Sequence, residues 1–126
     1  MQEKKQKPRT ILVVDDEPDM LRFLDRLLTL EGYHVILASD GTYAMSLIRE
    51  QKPDLVLLDI IMPGPDGFMV LDMIRKDSDT PVIMVTAKRD LESLQKTLDS
   101  GADDYIRKPF SPVELVARVN AKLRRA

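Results

Sequence analysis

The chain has 126 residues, a length that suits one domain with enough polypeptide to bury a core and no room for a second. It has no cysteine, which excludes a disulfide framework, a thiolate metal site and a cysteine nucleophile. Its net charge of −2 is unevenly spread, with +3 over residues 1–9, +4 over residues 118–126 and −9 between them.

Short Lys/Arg runs at chain ends read as solvated tails, so residues 1–9 are taken as a basic N-terminal tail with no nucleic-acid role. No apolar stretch approaches membrane-spanning length, and the tail lacks the apolar core of a signal peptide. A soluble, cytoplasmic chain is expected.

From residue 10 onward, five strand-like runs alternate with five amphipathic stretches, the pattern of repeated βαβ units around a parallel sheet. The first strand, 10–15, carries the apolar run Ile11 to Val14 and closes on Asp15 and Asp16. Pro18 suits a first helical turn, Leu21, Leu24 and Leu28 recur at helical spacing, and Gly32 provides a stop, which predicts a helix over 18–31. The second strand, 34–38, opens on the single histidine, His34, read as structural because one histidine builds no conventional metal cluster. Asp40 caps the second helix, whose apolar side carries Ala44, Leu47 and Ile48, and Pro53 ends the connection.

The third strand, 54–59, holds Leu55 to Leu58 and ends on Asp59. Met62-Pro63-Gly64-Pro65-Asp66-Gly67 is a tight loop, and the third helix begins near Asp66 and buries Phe68, Leu71 and Ile74. The fourth strand, 81–86, ends on Thr86. The fourth helix starts near Asp90, presents Leu91, Leu94 and Leu98, and stops at Gly101. The fifth strand, 103–107, is followed by Lys108, and Ser111-Pro112-Val113-Glu114 combines an N-cap, a proline at N1 and the glutamate of a capping box. Leu115, Val119 and Leu123 give that last helix one apolar side.

Continuous apolar runs rich in branched residues are those of parallel strands covered on both faces, and ligands bind outside the carboxyl ends of such strands. Asp15, Asp16, Asp59, Thr86 and Lys108 all stand at those ends. Three carboxylates gathered there would repel, so the cluster implies a cation, and Mg²⁺ is the natural one because it takes one or two carboxylates, keeps several waters and accepts a phosphate oxygen. An aspartate can attack phosphorus and carry an acyl phosphate while a metal and a lysine neutralise the equatorial oxygens. Taken singly, Asp15 and Asp16 are helix caps, Asp59 a loop acid, Thr86 a strand residue and Lys108 a surface charge. Their joint placement favours the site.

These residues resemble the response-regulator receiver domain, the CheY-like phosphoacceptor module of two-component signalling, over roughly residues 10 to 124. The pieces that carry it are Val-Asp15-Asp16-Glu17, Leu-Asp59-Ile-Ile-Met62-Pro63-Gly-Pro-Asp66-Gly67, Val-Thr86-Ala87 and Gly101-Ala-Asp-Asp-Tyr105-Ile-Arg-Lys108-Pro109-Phe110. The resemblance implies a flavodoxin-like (βα)5 fold, a doubly wound five-stranded parallel sheet with strand order 2-1-3-4-5. It implies that Asp59 accepts phosphoryl from a sensor histidine kinase. Asp16, Asp59 and the backbone carbonyl of Ile61 would bind Mg²⁺, with Asp15 joining through water. Thr86 and Lys108 would contact the phosphoryl group, Tyr105 would turn inward as Thr86 moves, and the Lys108-Pro109 bond would be cis. The output surface would be the face of the fourth helix, fifth strand and fifth helix.

The end of the chain resembles the winged-helix OmpR/PhoB-type subgroup, whose members carry a DNA-binding domain downstream and pair through the output face. Residues 125–126 would then begin a linker to an output domain outside this chain, and DNA would be reached only through that domain. The charged positions matching the paired face are Asp103, Asp104, Glu114, Arg118 and Arg125. Leu94 departs from the subgroup, standing where a lysine is usual, and Ile61 occupies a variable position two residues after Asp59 where phosphoryl lifetime is tuned.

Two rival readings remain at this stage. A haloacid-dehalogenase-like phosphatase also uses an aspartyl phosphate and magnesium, but needs a second acid two residues after the nucleophile, where this chain has Ile61. A partner-binding pseudo-receiver would lack an acid or the lysine, and all are present. Neither a GxGxxG turn nor a GxxxxGK[ST] loop supports a nucleotide site.

Overall fold

The computed structural model describes residues 7–76, 78–87 and 91–124, without the side chains of Leu91 and Ser93. Five strands, β1 (Thr10–Val14), β2 (His34–Ala38), β3 (Leu55–Leu58), β4 (Val82–Thr86) and β5 (Asp104–Arg107), alternate with five helices. These are α1 (Pro18–Leu30), α2 (Gly41–Gln51), α3 (Gly67–Arg75), α4 (Leu91–Asp99) and α5 (Pro112–Leu123). The sheet runs β2-β1-β3-β4-β5 with every neighbouring pair parallel, the expected order.

The register explains why the acids converge. Val14 lies opposite Leu58, and the ladder extends one step further, with the Asp59 amide donating to the Val14 carbonyl at 3.0 Å and the Asp15 amide to Ala38 at 3.1 Å. Asp15 and Asp59 are thus held by the ends of the ladder just beyond the last paired residues. The sheet's order reverses between β1 and β3, and this is where an open α/β sheet leaves a crevice.

Alternation along the strands divides the core into two layers. Leu12, Val14, Val56, Leu58, Val82 and Met84 join the buried residues of α2 and α3 on one face. Ile11, Val13, Leu55, Leu57, Ile83 and Val85 join Leu24 and Leu28 of α1 and Leu115, Val119 and Leu123 of α5 on the other. The caps follow the sequence at three helices: Asp40, Asp66 and Ser111 each accept from the backbone amide three residues on. At α1 the N-cap is Glu17, which makes no side-chain cap bond, so neither Asp15 nor Asp16 is the capping residue.

Two expectations about burial need correction. Phe68 is only partly buried, because α3 turns Val70, Leu71 and Ile74 into the core instead. Among the described side chains of α4 the buried one is Thr97, whereas Leu94 is half-buried and Leu98 is 53% exposed. The expected helix start at Asp90 and the Leu91 side chain lie outside the described residues. So do tail residues 1–6 and residues 125–126.

Candidate functional site

Asp15 and Asp59 are almost fully buried, at 2% and 5% exposure, while Asp16 is exposed. One carboxylate oxygen from each of the three lies within 4.8 Å of the others. Lys108 closes the site from β5: its Nζ donates to Asp15 Oδ2 at 2.7 Å and to Asp59 Oδ2 at 3.2 Å. The lysine is set there by its own backbone, whose amide donates to the Thr86 carbonyl at 2.9 Å; the Lys108-Pro109 peptide bond is cis. Thr86 itself is fully buried at the end of β4. Asp15, Asp16, Asp59 and Lys108, from the ends of β1, β3 and β5, therefore converge, and Thr86 ends β4, the strand between β3 and β5.

The loop after β3 is shaped to present Asp59. The Ile61 amide donates to Asp59 Oδ1 at 3.3 Å, and the Gly67 amide donates to the Ile60 carbonyl at 2.8 Å. A Cβ at Gly67 would sit 2.4 Å from the Asp59 carbonyl oxygen, so only glycine lets α3 begin this close to the acid. Asp15 Oδ1 accepts from the Glu17 amide at 2.9 Å, which fixes the carboxylate while leaving Oδ2 for the lysine.

Electrostatics explain how a buried acid pair survives. Burial raises the Asp59 carboxyl above its ordinary range; the Lys108 ammonium works against this and the Asp15 charge adds to it. Burial would lower Lys108, but its hydrogen bond to Asp15 and the charges of Asp59 and Asp15 outweigh that and raise it above the usual lysine range. The site nevertheless holds three carboxylates against one cation. Hard oxygen donors, one of them open to water at Asp16, suit a cation that takes carboxylates and retains waters, as Mg²⁺ does.

On the far side of β5, Arg118 Nη1 donates to Asp104 Oδ1 at 2.6 Å, and Arg118 Nη2 lies 3.1 Å from Glu114 Oε2. These three expected paired-face residues form one cluster. Asp103 does not join it: its Oδ2 accepts from Arg75 at 2.8 Å and from the Val82 amide at 2.8 Å. Arg125 lies outside the described residues. Tyr105 is half-buried and packs against the core layer that contains Met84, its register partner on β4.

Two residues escaped the sequence reading. Glu17 Oε1 accepts from Lys108 Nζ at 3.2 Å, and its only clue was adjacency to the acid pair. Arg75 bonds Gly101, Thr80 and Asp103, yet in sequence it is a basic residue in the last turn of a helix, an ordinary complement to the helix dipole.

Residues 11–120 match the response regulator receiver domain family. The chain belongs to that family. This receiver domain is 50% identical over 115 residues to the DNA-binding response regulator MtrA of Mycolicibacterium smegmatis, covering 91% of this chain and 50% of that protein. The same identity and coverage hold for MtrA of Mycobacterium tuberculosis strain H37Rv. It spans about half the length of the curated relatives it matches. Among solved structures, it is similar to the BeF3-activated N-terminal receiver domain of Klebsiella pneumoniae RstA, with a TM-score of 0.89 and 32% identity, covering 93% of this chain and 100% of that one. It is also similar to the receiver domain of the Francisella response regulator 1452, with a TM-score of 0.86 and 36% identity, covering 90% and 95% of the two chains. A receiver domain is a phosphoacceptor switch of two-component signalling rather than a turnover enzyme, and the acid cluster is of the kind receivers use for Mg²⁺. No helix among the described residues is long and apolar enough to cross a membrane.

Proposed function

We propose that Asp59 is the phosphoacceptor, that Asp15, Asp16, Asp59 and the Ile61 backbone carbonyl hold Mg²⁺, and that Thr86 and Lys108 receive the phosphoryl oxygens. The observation that carries this reading is the burial of Asp59 between Asp15 and the Lys108 ammonium, with Asp16 within metal-sharing distance. In the reaction an Asp59 carboxylate oxygen forms a bond to phosphorus as the bond from phosphorus to the donor's imidazole nitrogen breaks, and the imidazole leaves with the electron pair. When bound, the divalent cation supplies charge neutralisation for the transferring group. Lys108 supplies a second positive charge, and Asp59 is oriented for attack by the Ile61 amide and its own place at the end of β3.

The donor would be a sensor histidine kinase. In this reading the α4–β5–α5 face answers phosphorylation through Thr86 and Tyr105, and a homodimer forms through Asp104, Glu114, Arg118, Asp103 and Arg125. DNA binding would belong to an output domain outside this chain, as the length and the name of the MtrA relatives suggest, and an OmpR/PhoB-type regulator of transcription in the cytoplasm would result. Residues 10–124 are the receiver unit in this reading, with 1–9 a tail and 125–126 the start of a linker. Borohydride trapping after treatment with acetyl phosphate and Mg²⁺ tests the central assignment. Reduction of the acyl phosphate should convert Asp59 to homoserine in the peptide map, and conversion at another acid would overturn it.

A further inference from the structure

Glu17 stands outside the machinery assigned above, yet its carboxylate is the third acceptor on the Lys108 ammonium. Nζ reaches Asp15 Oδ2 at 2.7 Å, Asp59 Oδ2 at 3.2 Å and Glu17 Oε1 at 3.2 Å. An ammonium has three donor hydrogens and no acceptor. All three are therefore taken in the resting protein. The ordinary role of an acid at an α1 N-cap would be to bond the first-turn amides, and Glu17 makes no such bond. Its side chain is 64% exposed, whereas those of Asp15 and Asp59 are 3% and 7% exposed, so it is the acceptor held least firmly.

We propose that Glu17 is a positioning residue that tethers Lys108 in the resting state and is the acceptor Lys108 gives up when a phosphoryl group arrives on Asp59. This rests on the Asp59 reading. Asp15 stays as a buried partner and the Asp59 acyl phosphate keeps one carboxyl oxygen as an acceptor, so the donor hydrogen for a phosphoryl oxygen comes from the exposed, weakly held Glu17 bond. The tether thus competes with the phosphoryl group for one hydrogen and lowers the gain from binding it. Its strength is that of an exposed ion pair, which sets the size of the effect.

The test is equilibrium binding of beryllofluoride with Mg²⁺, followed by amide NMR, on the wild type, Glu17→Gln and Glu17→Asp. Glu17→Gln removes the negative charge at the mouth of the site and leaves only a neutral amide oxygen as acceptor, so the bond to Nζ is weakened. Glu17→Asp keeps the charge on a side chain one methylene too short to reach Nζ. Both variants should bind about 2- to 5-fold more tightly than the wild type. Unchanged affinity in Glu17→Gln overturns the tether, and so does tighter binding in Glu17→Gln with wild-type binding in Glu17→Asp, because mouth charge alone would then be the cause. In the metal-free protein the Lys108 ammonium ¹⁵N resonance should move in both variants, and an unmoved resonance overturns the contact itself. Beryllofluoride binding by Asp59→Asn would instead sink the phosphoacceptor reading, leaving the ammonium measurement to judge Glu17 separately.

Discussion

Arg75 and Asp103 are joined by a 2.8 Å ion pair that fastens the end of α3 to the turn leading into β5. The same guanidinium donates to the Gly101 carbonyl at 2.9 Å and the Thr80 carbonyl at 2.7 Å, and the same Asp103 oxygen accepts the Val82 amide. One arginine therefore sets the approach to β4 and to β5, whose far ends carry Thr86 and Lys108. Arg75→Ala leaves the Gly101, Ser78 and Thr80 carbonyls and the Asp103 carboxylate without this donor and should destabilise the domain by about 2 kcal/mol in urea unfolding. Arg75→Lys should recover only part, because an ammonium cannot reproduce the fork. A loss within a few tenths of a kcal/mol would show that water replaces the arginine.

Asp59 holds its proton to higher pH in the folded protein than in the unfolded chain, chiefly through burial. The unfolded chain then binds fewer protons at pH values above the ordinary 3.8, so this group makes metal-free stability fall as pH rises through the window up to its folded pKa. Asp59→Asn removes that slope and relieves repulsion with Asp15. The variant should be more stable than the wild type at pH 7 without metal, by roughly 1 kcal/mol or a few degrees in Tm. The gain should shrink toward acid pH in thermal melts, and a gain independent of pH would contradict this cause.

Lys108 is the counter-charge of a buried acid pair. Lys108→Met should cost about 2–4 kcal/mol of metal-free stability at neutral pH, because it strands Asp15 and Asp59 without their cation. Mg²⁺ should bind this variant more tightly than the wild type, since one positive charge no longer competes for the same oxygens. Calorimetric titration reads the affinity directly, and weaker binding would mean that the lysine organises the acids rather than competing for them.

At the start of α3, Gly67→Ala should be far more damaging than Gly32→Ala. A Cβ at Gly67 meets the Asp59 carbonyl oxygen at 2.4 Å, whereas Gly32, at φ +94°, has open space around the added atom. The first change should cost several kcal/mol or prevent folding, and the second about 1 kcal/mol, the cost of a left-handed residue with a side chain. Urea unfolding of the pair checks the ranking.

Ile61 is 54% exposed, two residues past Asp59, where an aliphatic side chain can shade the acyl phosphate from water. Ile61→Asn should change the rate of dephosphorylation measured from the loss of phosphorylated mass with time. An unchanged rate would remove Ile61 from the control of lifetime.

Much of this was legible in the residues themselves. Apolar runs at Ile11–Val14 and Leu55–Leu58 mark buried parallel strands, and acids at their ends mark the crevice, because ligands bind outside the carboxyl ends of such strands, whereas the strand order came from the family resemblance. Ser111 and Pro112 likewise announce α5 through local chemistry. What stayed hidden depends on long-range geometry. Arg75 meets Asp103 across 28 positions and Glu17 meets Lys108 across 91, and neither side chain differs in sequence from a solvated charge. In α4 the leucine spacing pointed to Leu98 as core, yet among the described side chains Thr97 is the buried one and Leu98 is exposed.

The central claim is that one acid, Asp59, carries the transferred phosphoryl group with Mg²⁺ at its side. Intact mass measurement after incubation with acetyl phosphate, on the wild type with Mg²⁺ or a chelator and on Asp59→Asn with Mg²⁺, tests it most directly. The account predicts the addition of a single phosphoryl group in the wild type with metal only. The same addition on Asp59→Asn, or in the chelated wild type, would contradict it.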